Sequence, residues 1–85
     1  MSYKIKFSKR GAKDYETVKK SPLKNNALKI FSTLEINPYK PPVEKLKDNL
    51  QGVYSRRLNR QHRIVYEIHE KEKIITILAM WTHYE

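Results

Sequence analysis

Apolar and basic residues alternate along Tyr3-Lys-Ile-Lys-Phe7, the period-two pattern of a short strand with one buried face. Ser8 offers a helix N-cap directly after it. The helix expected over Lys9 to Lys20 has few apolar anchors, namely Ala12, Tyr15 and Val18, and Gly11 weakens its interior, so it reads as short and largely exposed. Ser21-Pro22 restarts the chain with an N-cap residue and a proline at the first helical position, where the missing N–H costs nothing. From there Leu23, Ala27, Ile30, Phe31 and Leu34 recur at helical spacing and form the strongest periodic stripe in the chain, which ends near Ile36-Asn37-Pro38.

Three of the four prolines fall in Asn37 to Val43, which predicts a stiff connector. Glu44 to Leu50 follows, with Leu46 and Leu50 as anchors and Gly52 as a break. Three runs rich in β-branched and aromatic residues come next: Val53–Leu58, Arg63–Ile68 and Lys73–Met80. The gaps between them, Asn59 to His62 and His69 to Glu72, are short and polar, so the runs should pair as antiparallel hairpins. The last run is apolar at both parities, as a central strand covered on both faces would be. The order predicts a single α+β domain over residues 1–85, with an N-terminal strand and two helices packed on a small antiparallel sheet.

Charge narrows the partner. The 85 residues carry 18 Lys and Arg against 9 Asp and Glu, a formal net charge of +9. Residues 1–47 hold 12 basic and 4 acidic side chains, nearly all the basic ones Lys, whereas Arg56, Arg57, Arg60 and Arg63 cluster in the second part. Lysine is a flexible point charge, and arginine is a planar fork that grips phosphate with two parallel hydrogen bonds. The lysines therefore read as long-range attraction and the arginines as short-range recognition of a polyanion. The alternative is a solvated surface with ion pairs to Glu67, Glu70 and Glu72. With no cysteine there is no disulfide scaffold, thiolate metal site or cysteine nucleophile. No apolar run approaches a membrane span and no apolar signal segment opens the chain, so a cytoplasmic protein is expected.

The chemistry that remains needs no cofactor. His62, His69 and His83 form no helical i, i+4 pair, no HExxH or Cys/His array is present, and Gly11 and Gly52 are too far apart for a phosphate loop. Glu, Lys, Arg, His and Tyr are the side chains that cleave RNA at its own 2′-hydroxyl, where a base, a cation at the phosphate and an acid for the leaving oxygen are required. Glu44 is a candidate base, with Lys47 beside it if the stretch is a helical turn; Arg63 is a candidate phosphate clamp, His83 an acid or base, and Tyr84 a stacking or hydrogen-bonding residue. For Glu44 a solvated carboxylate is the plainer alternative, for Arg63 a pairing with Glu67 or a carbonyl, and for His83 and Tyr84 a frayed chain end, and His62 and His69 read as solvated residues of the two hairpin turns.

Four motifs in order carry a resemblance. Glu44-x-Leu-Lys47, Leu50-x-Gly52-x-Tyr54-Ser-Arg-Arg57, Gln61-His-Arg-Ile-Val-Tyr66 and His83-Tyr84 resemble the YoeB/Txe branch of the RelE-like toxins of bacterial toxin–antitoxin systems. The resemblance implies a microbial-ribonuclease-like α+β fold and a ribosome-dependent endoribonuclease that cuts mRNA in the A site. By motif position it implies Glu44 as general base, Arg63 as phosphate-stabilising arginine, His83 as general acid, Tyr84 as the residue closing the site and Lys47 as a further basic contact, while the arginine cluster itself makes Arg56, Arg57 and Arg60 the candidate RNA-binding residues. It also implies a small acidic antitoxin of the YefM/Axe kind, the ribosome and mRNA as partners, and homodimerisation. Tyr54 stands where the family usually has Trp, and Glu85 follows the usual terminal Tyr, bringing negative charge close to His83.

Pairing arithmetic adds one geometric expectation. A turn near Glu70-Lys71 sets Arg63 opposite Leu78 or Ala79, which leaves His83 four residues further on, roughly 13 Å of strand away. The free protein should then have a loose site. The competing functions are a gyrase inhibitor of the ParE kind in the same superfold and a plain basic RNA-binding module.

Overall fold

The computed structural model describes residues 2–40, 44–45 and 52–82. The order is β1 (Lys4–Phe7), α1 (Lys9–Lys19), α2 (Lys24–Ile36), β2 (Glu44–Lys45), β3 (Val53–Arg57), β4 (Arg63–His69) and β5 (Ile74–Thr82). The strands form one sheet in the order β1-β5-β4-β3-β2. As expected, β3, β4 and β5 are an antiparallel meander, and β5 is central. The sheet is mixed, however, because β1 runs parallel to β5 along the edge. Two helices between β1 and the meander return the chain to the starting end of the sheet, which makes that parallel pairing possible.

Both helices pack on one face. Val18 of α1 and Ala27, Phe31 and Leu34 of α2 join Ile64, Tyr66, Ile75, Ile77 and Met80 in the main core. The stripe on α2 is the one read from its spacing. Its start differs: Ser21 donates to the Val18 carbonyl at 2.8 Å and accepts from the Leu23 amide at 3.1 Å, so it holds a turn, and the helix begins at Lys24 without a side-chain cap. Ser8 caps α1 as expected, accepting from the Gly11 amide at 3.0 Å.

Helix α1 is more deeply engaged than its anchors suggest. Gly11 is buried, and a Cβ at that position would lie 2.0 Å from the Ile77 carbonyl oxygen. The glycine that weakens the helix locally is what lets its backbone lie against β5, where any side chain would clash. The Ser8 hydroxyl reaches the carbonyls of Ile77 and Leu78 at 3.1 and 3.2 Å, and Asp14 accepts from the Met80 amide at 3.0 Å.

This grip coincides with two register shifts. Glu67 pairs with Thr76 and Tyr66 with Ile77, but Val65 pairs with Ala79 and Arg63 with Thr82. β5 thus carries one extra residue at Leu78 and a second between Ala79 and Thr82, the count of two β-bulges. Arg63 therefore does not face Leu78 or Ala79, as an unbulged hairpin turning at Glu70-Lys71 required; the turn closes later, with His69 opposite Ile74, and the bulges add the rest. Glu44 also departs from the helical turn considered for it, lying in a strand opposite Ser55. Lys47 lies outside the described residues.

One carboxylate ties together the end of the sheet away from the β3–β4 turn. Glu70 accepts from Tyr3 at 3.0 Å and from Tyr39 at 2.7 Å and pairs with Lys73. The Lys73 contact and the two phenols hold its carboxyl down to about 2, against an ordinary value of 4.5. A depressed carboxylate contributes stability above its unfolded value and loses it as pH falls through the folded one. The stability difference between wild type and Glu70→Gln should hold steady above pH 4.5 and shrink to nothing as pH drops toward 2. Urea titrations across pH check this; a gap that ignores pH would mean that the charge contributes nothing.

Candidate active site

The two sheet faces divide the arginines. Along β3 and β4, Tyr54, Arg56, Ile64 and Tyr66 pair on the helix side, and Ser55, Arg57, Arg63 and Val65 pair on the other. Arg57 stands directly opposite Arg63. Like charges in a cross-strand pair repel, so this pair favours an anion above it. Arg57 is exposed and Arg63 half-buried, with its Nη1 donating to the Ser55 hydroxyl at 3.4 Å. Ser55 is buried beneath it.

The strand register brings the remaining positions alongside. Glu44 and Val65 both pair with Ser55, and Val65 pairs in turn with Ala79, so Glu44 belongs to a row that crosses the sheet beside Arg63. Thr82 pairs with Arg63 from the other side. The end of β5 thus meets Arg63 itself, where an offset of roughly 13 Å was expected for the residue after it. His83, Tyr84 and Glu85 lie outside the described residues.

Arg56 departs from the surface cluster. It is 8% exposed, donates through Nη1 to the Lys40 carbonyl, and lies by Tyr66. Strand parity turns it toward the helices, where it ties the connector after α2 to the sheet. Tyr66 donates to the Pro38 carbonyl at 3.0 Å on the same connector. Burial pushes its phenol up to about 12, with the Arg56 charge opposing. Arg60 is exposed in the β3–β4 turn, which Asn59 shapes by accepting from the amides of Gln61 and His62 at 2.8 and 2.7 Å. His62 is half-buried in that turn. His69 is the last residue of β4 rather than a turn residue, with Nε2 3.0 Å from Glu67 Oε1, an ion pair when the ring is protonated.

Two residues that bear on the site escaped sequence reading. Ser55 falls within a motif, but only the pairing shows it under Arg63. Asp14 sits on an exposed-looking helix and contacts the site strand from the far side. A carboxylate three residues after the buried Gly11 is the faint signal that could have flagged it.

The family comparison decides the identity. The model of the YoeB-like toxin of bacterial type II toxin–antitoxin systems matches residues 7–84. The chain belongs to that family. A Toxin YoeB from Synechocystis is 43% identical over 42 residues, which is 49% of this chain and 46% of that relative, so the alignment spans about half of each. Among solved structures, the YoeB dimer from Staphylococcus aureus superposes with a TM-score of 0.84 at 29% identity over 99% of this chain and 100% of that one. The archaeal RelE-RelB complex from Pyrococcus horikoshii contains a chain with a TM-score of 0.76 at 26% identity, each chain covered to 96%. The α+β YoeB/RelE fold expected from the motifs is therefore the fold of this YoeB-like chain.

The arginine split has a measurable consequence for a YoeB-like toxin. Arg56→Ala should cost about 2–4 kcal/mol, since it removes a charged hydrogen bond to the Lys40 carbonyl and the packing of a buried side chain, whereas Arg57→Ala should stay within about 0.5 kcal/mol of wild type. Denaturant unfolding of the two variants checks this, and equal stabilities would mean that Arg56 is not bound inside.

Proposed function

We propose that this chain is the toxin of a type II toxin–antitoxin system and acts in the cytoplasm as a ribosome-dependent endoribonuclease that cuts mRNA in the A site. The observation that carries the reading is the Arg57–Arg63 pair on the face away from the helices, underpinned by Ser55 and flanked by Glu44 and the end of β5. Two guanidiniums facing each other there suit a phosphodiester better than any neutral substrate.

The reaction needs no cofactor. Glu44 takes the proton of the 2′-hydroxyl, the 2′-oxygen attacks the adjacent phosphorus, and the bond to the 5′-oxygen breaks, leaving a 2′,3′-cyclic phosphate. His83 gives the departing 5′-oxygen its proton. Arg63 stabilises the charge on the phosphorane, Tyr84 closes the site, and Lys47, Arg57 and Arg60 contact the RNA backbone. A chain of net charge +9 attracts any RNA. The ribosome supplies the in-line orientation that an open sheet face lacks.

An antitoxin completes the system. A solved complex of YoeB with YefM from Staphylococcus aureus contains a toxin chain 29% identical to this one, with a TM-score of 0.79. The partner here is an acidic YefM/Axe-like protein, suited to the basic surface and to the exposed Leu28 and Ile36 of α2. Homodimerisation follows the related Staphylococcus aureus dimer.

Toeprinting of translating ribosomes tests the assignment. Wild type should cut within A-site codons, and Arg63→Ala and His83→Gln should each lower the rate by about 100-fold or more while remaining folded. DNA damage with intact mRNA would point instead to gyrase inhibition, and RNA bound but uncut would leave only a binding module.

A further inference from the structure

We propose that Asp14 of α1 is a positioning residue for the candidate site, holding the bulged end of β5 in the register that sets Thr82 opposite Arg63. The turn alone would not give that register. Continued without bulges, the ladder through Glu67–Thr76 and Tyr66–Ile77 brings Met80 opposite Arg63, and two extra residues on β5 bring Thr82 there instead. Beyond the bulges the offset is an even number, but between them it is not: without bulges Ala79 would pair with Ile64 and Met80 with Arg63, so both would change face and Met80 would leave the main core. Burial of Met80 therefore favours the bulged register. The two registers differ by about 7 Å in where the end of β5 stands relative to Arg63.

The Met80 amide adds a second, directional constraint. It donates to Asp14 Oδ2 at 3.0 Å, a charge-assisted bond to a helix rather than to a neighbouring strand. Met80 sits inside the second bulge, between Ala79 and Thr82, and its side chain is fully buried in the main core. Arg10 Nε lies 3.6 Å from the same carboxylate oxygen and helps hold it. Asp14 is itself held against the strand by the close approach at Gly11, one helical turn earlier. A strand whose amide is bonded to α1 cannot slide that amide toward Arg63.

The activity arm of the test rests on Arg63 as the phosphate clamp; the structural arm does not. In solution NMR of the full chain, the Met80 amide proton should be protected from exchange with solvent, and a backbone NOE should connect Arg63 with Thr82. Asp14→Ala should speed Met80 amide exchange by about tenfold or more and weaken that NOE. On ribosomes it should lower kcat by about tenfold or more with KM within about twofold. Asp14→Asn keeps an acceptor and should restore most of both, and Glu16→Ala, two residues on at an exposed position of the same helix, should match wild type. If the Met80 amide exchanges as fast in wild type as in Asp14→Ala, or if Asp14→Ala keeps both the Arg63–Thr82 contact and full kcat, the proposal is overturned. If wild type cuts no mRNA while the NMR results hold, the nuclease reading fails and the positioning role stands; should Asp14→Ala not fold, the wild-type Arg63–Thr82 NOE and Met80 exchange in Asp14→Asn still decide.

Discussion

Backbone against backbone at Gly11 and Ile77 is the contact on which the other features depend. Only hydrogen fits on the Gly11 Cα, since a methyl group there would sit 2.0 Å from the Ile77 oxygen. Because α1 lies that close, Ser8 and Asp14 reach the main chain of β5 on either side of the contact, and Val18 reaches the main core. Phe7, Tyr15 and Phe31 then close around one another, with ring centroids 5.2 to 5.8 Å apart, and join the second helix to the first. The bulged strand, its pairing with β4 and the position of Arg63 all lie downstream of that approach.

Local patterning exposed most of the architecture. Strand Lys4–Phe7, the Ser8 cap, the α2 stripe and the three-stranded meander each follow from a strong signal a few residues long. What stayed hidden is relational. Nothing in Lys-Ile-Lys-Phe says that this strand pairs parallel to the last one, and nothing in Ile-Leu-Ala-Met says that two residues bulge. Gly11 was read as a helix weakness because propensity is a local property, whereas the reason for the glycine lies more than sixty residues away in sequence. The start of α2 was misplaced for a similar reason: Ser21 satisfies the end of the preceding helix rather than the start of the next.

The site shows the same division. Motifs named the arginines, but only pairing assigned them faces. Arg56 and Arg57 are adjacent in sequence, and the alternation of the strand sends one under the connector and the other to the surface. Arg63, at the start of β4, then gains Arg57 as its partner and Ser55 as its support. Membership of the YoeB-like family fits this arrangement, with the proposed recognition on one sheet face and the stabilising tyrosines, Glu70 and Arg56 in the rest of the molecule.

The claim that unites fold and function is that a scissile phosphate lies on Arg63, between β3 and the end of β5. Its most direct test is the structure of this chain on a ribosome whose A-site codon carries 2′-O-methyl riboses, which cannot attack. The account predicts a codon phosphate within hydrogen-bond reach of the Arg63 guanidinium, on the sheet face away from α1 and α2. A codon held against the lysine-rich helices, with Arg63 remote from any phosphate, would contradict it.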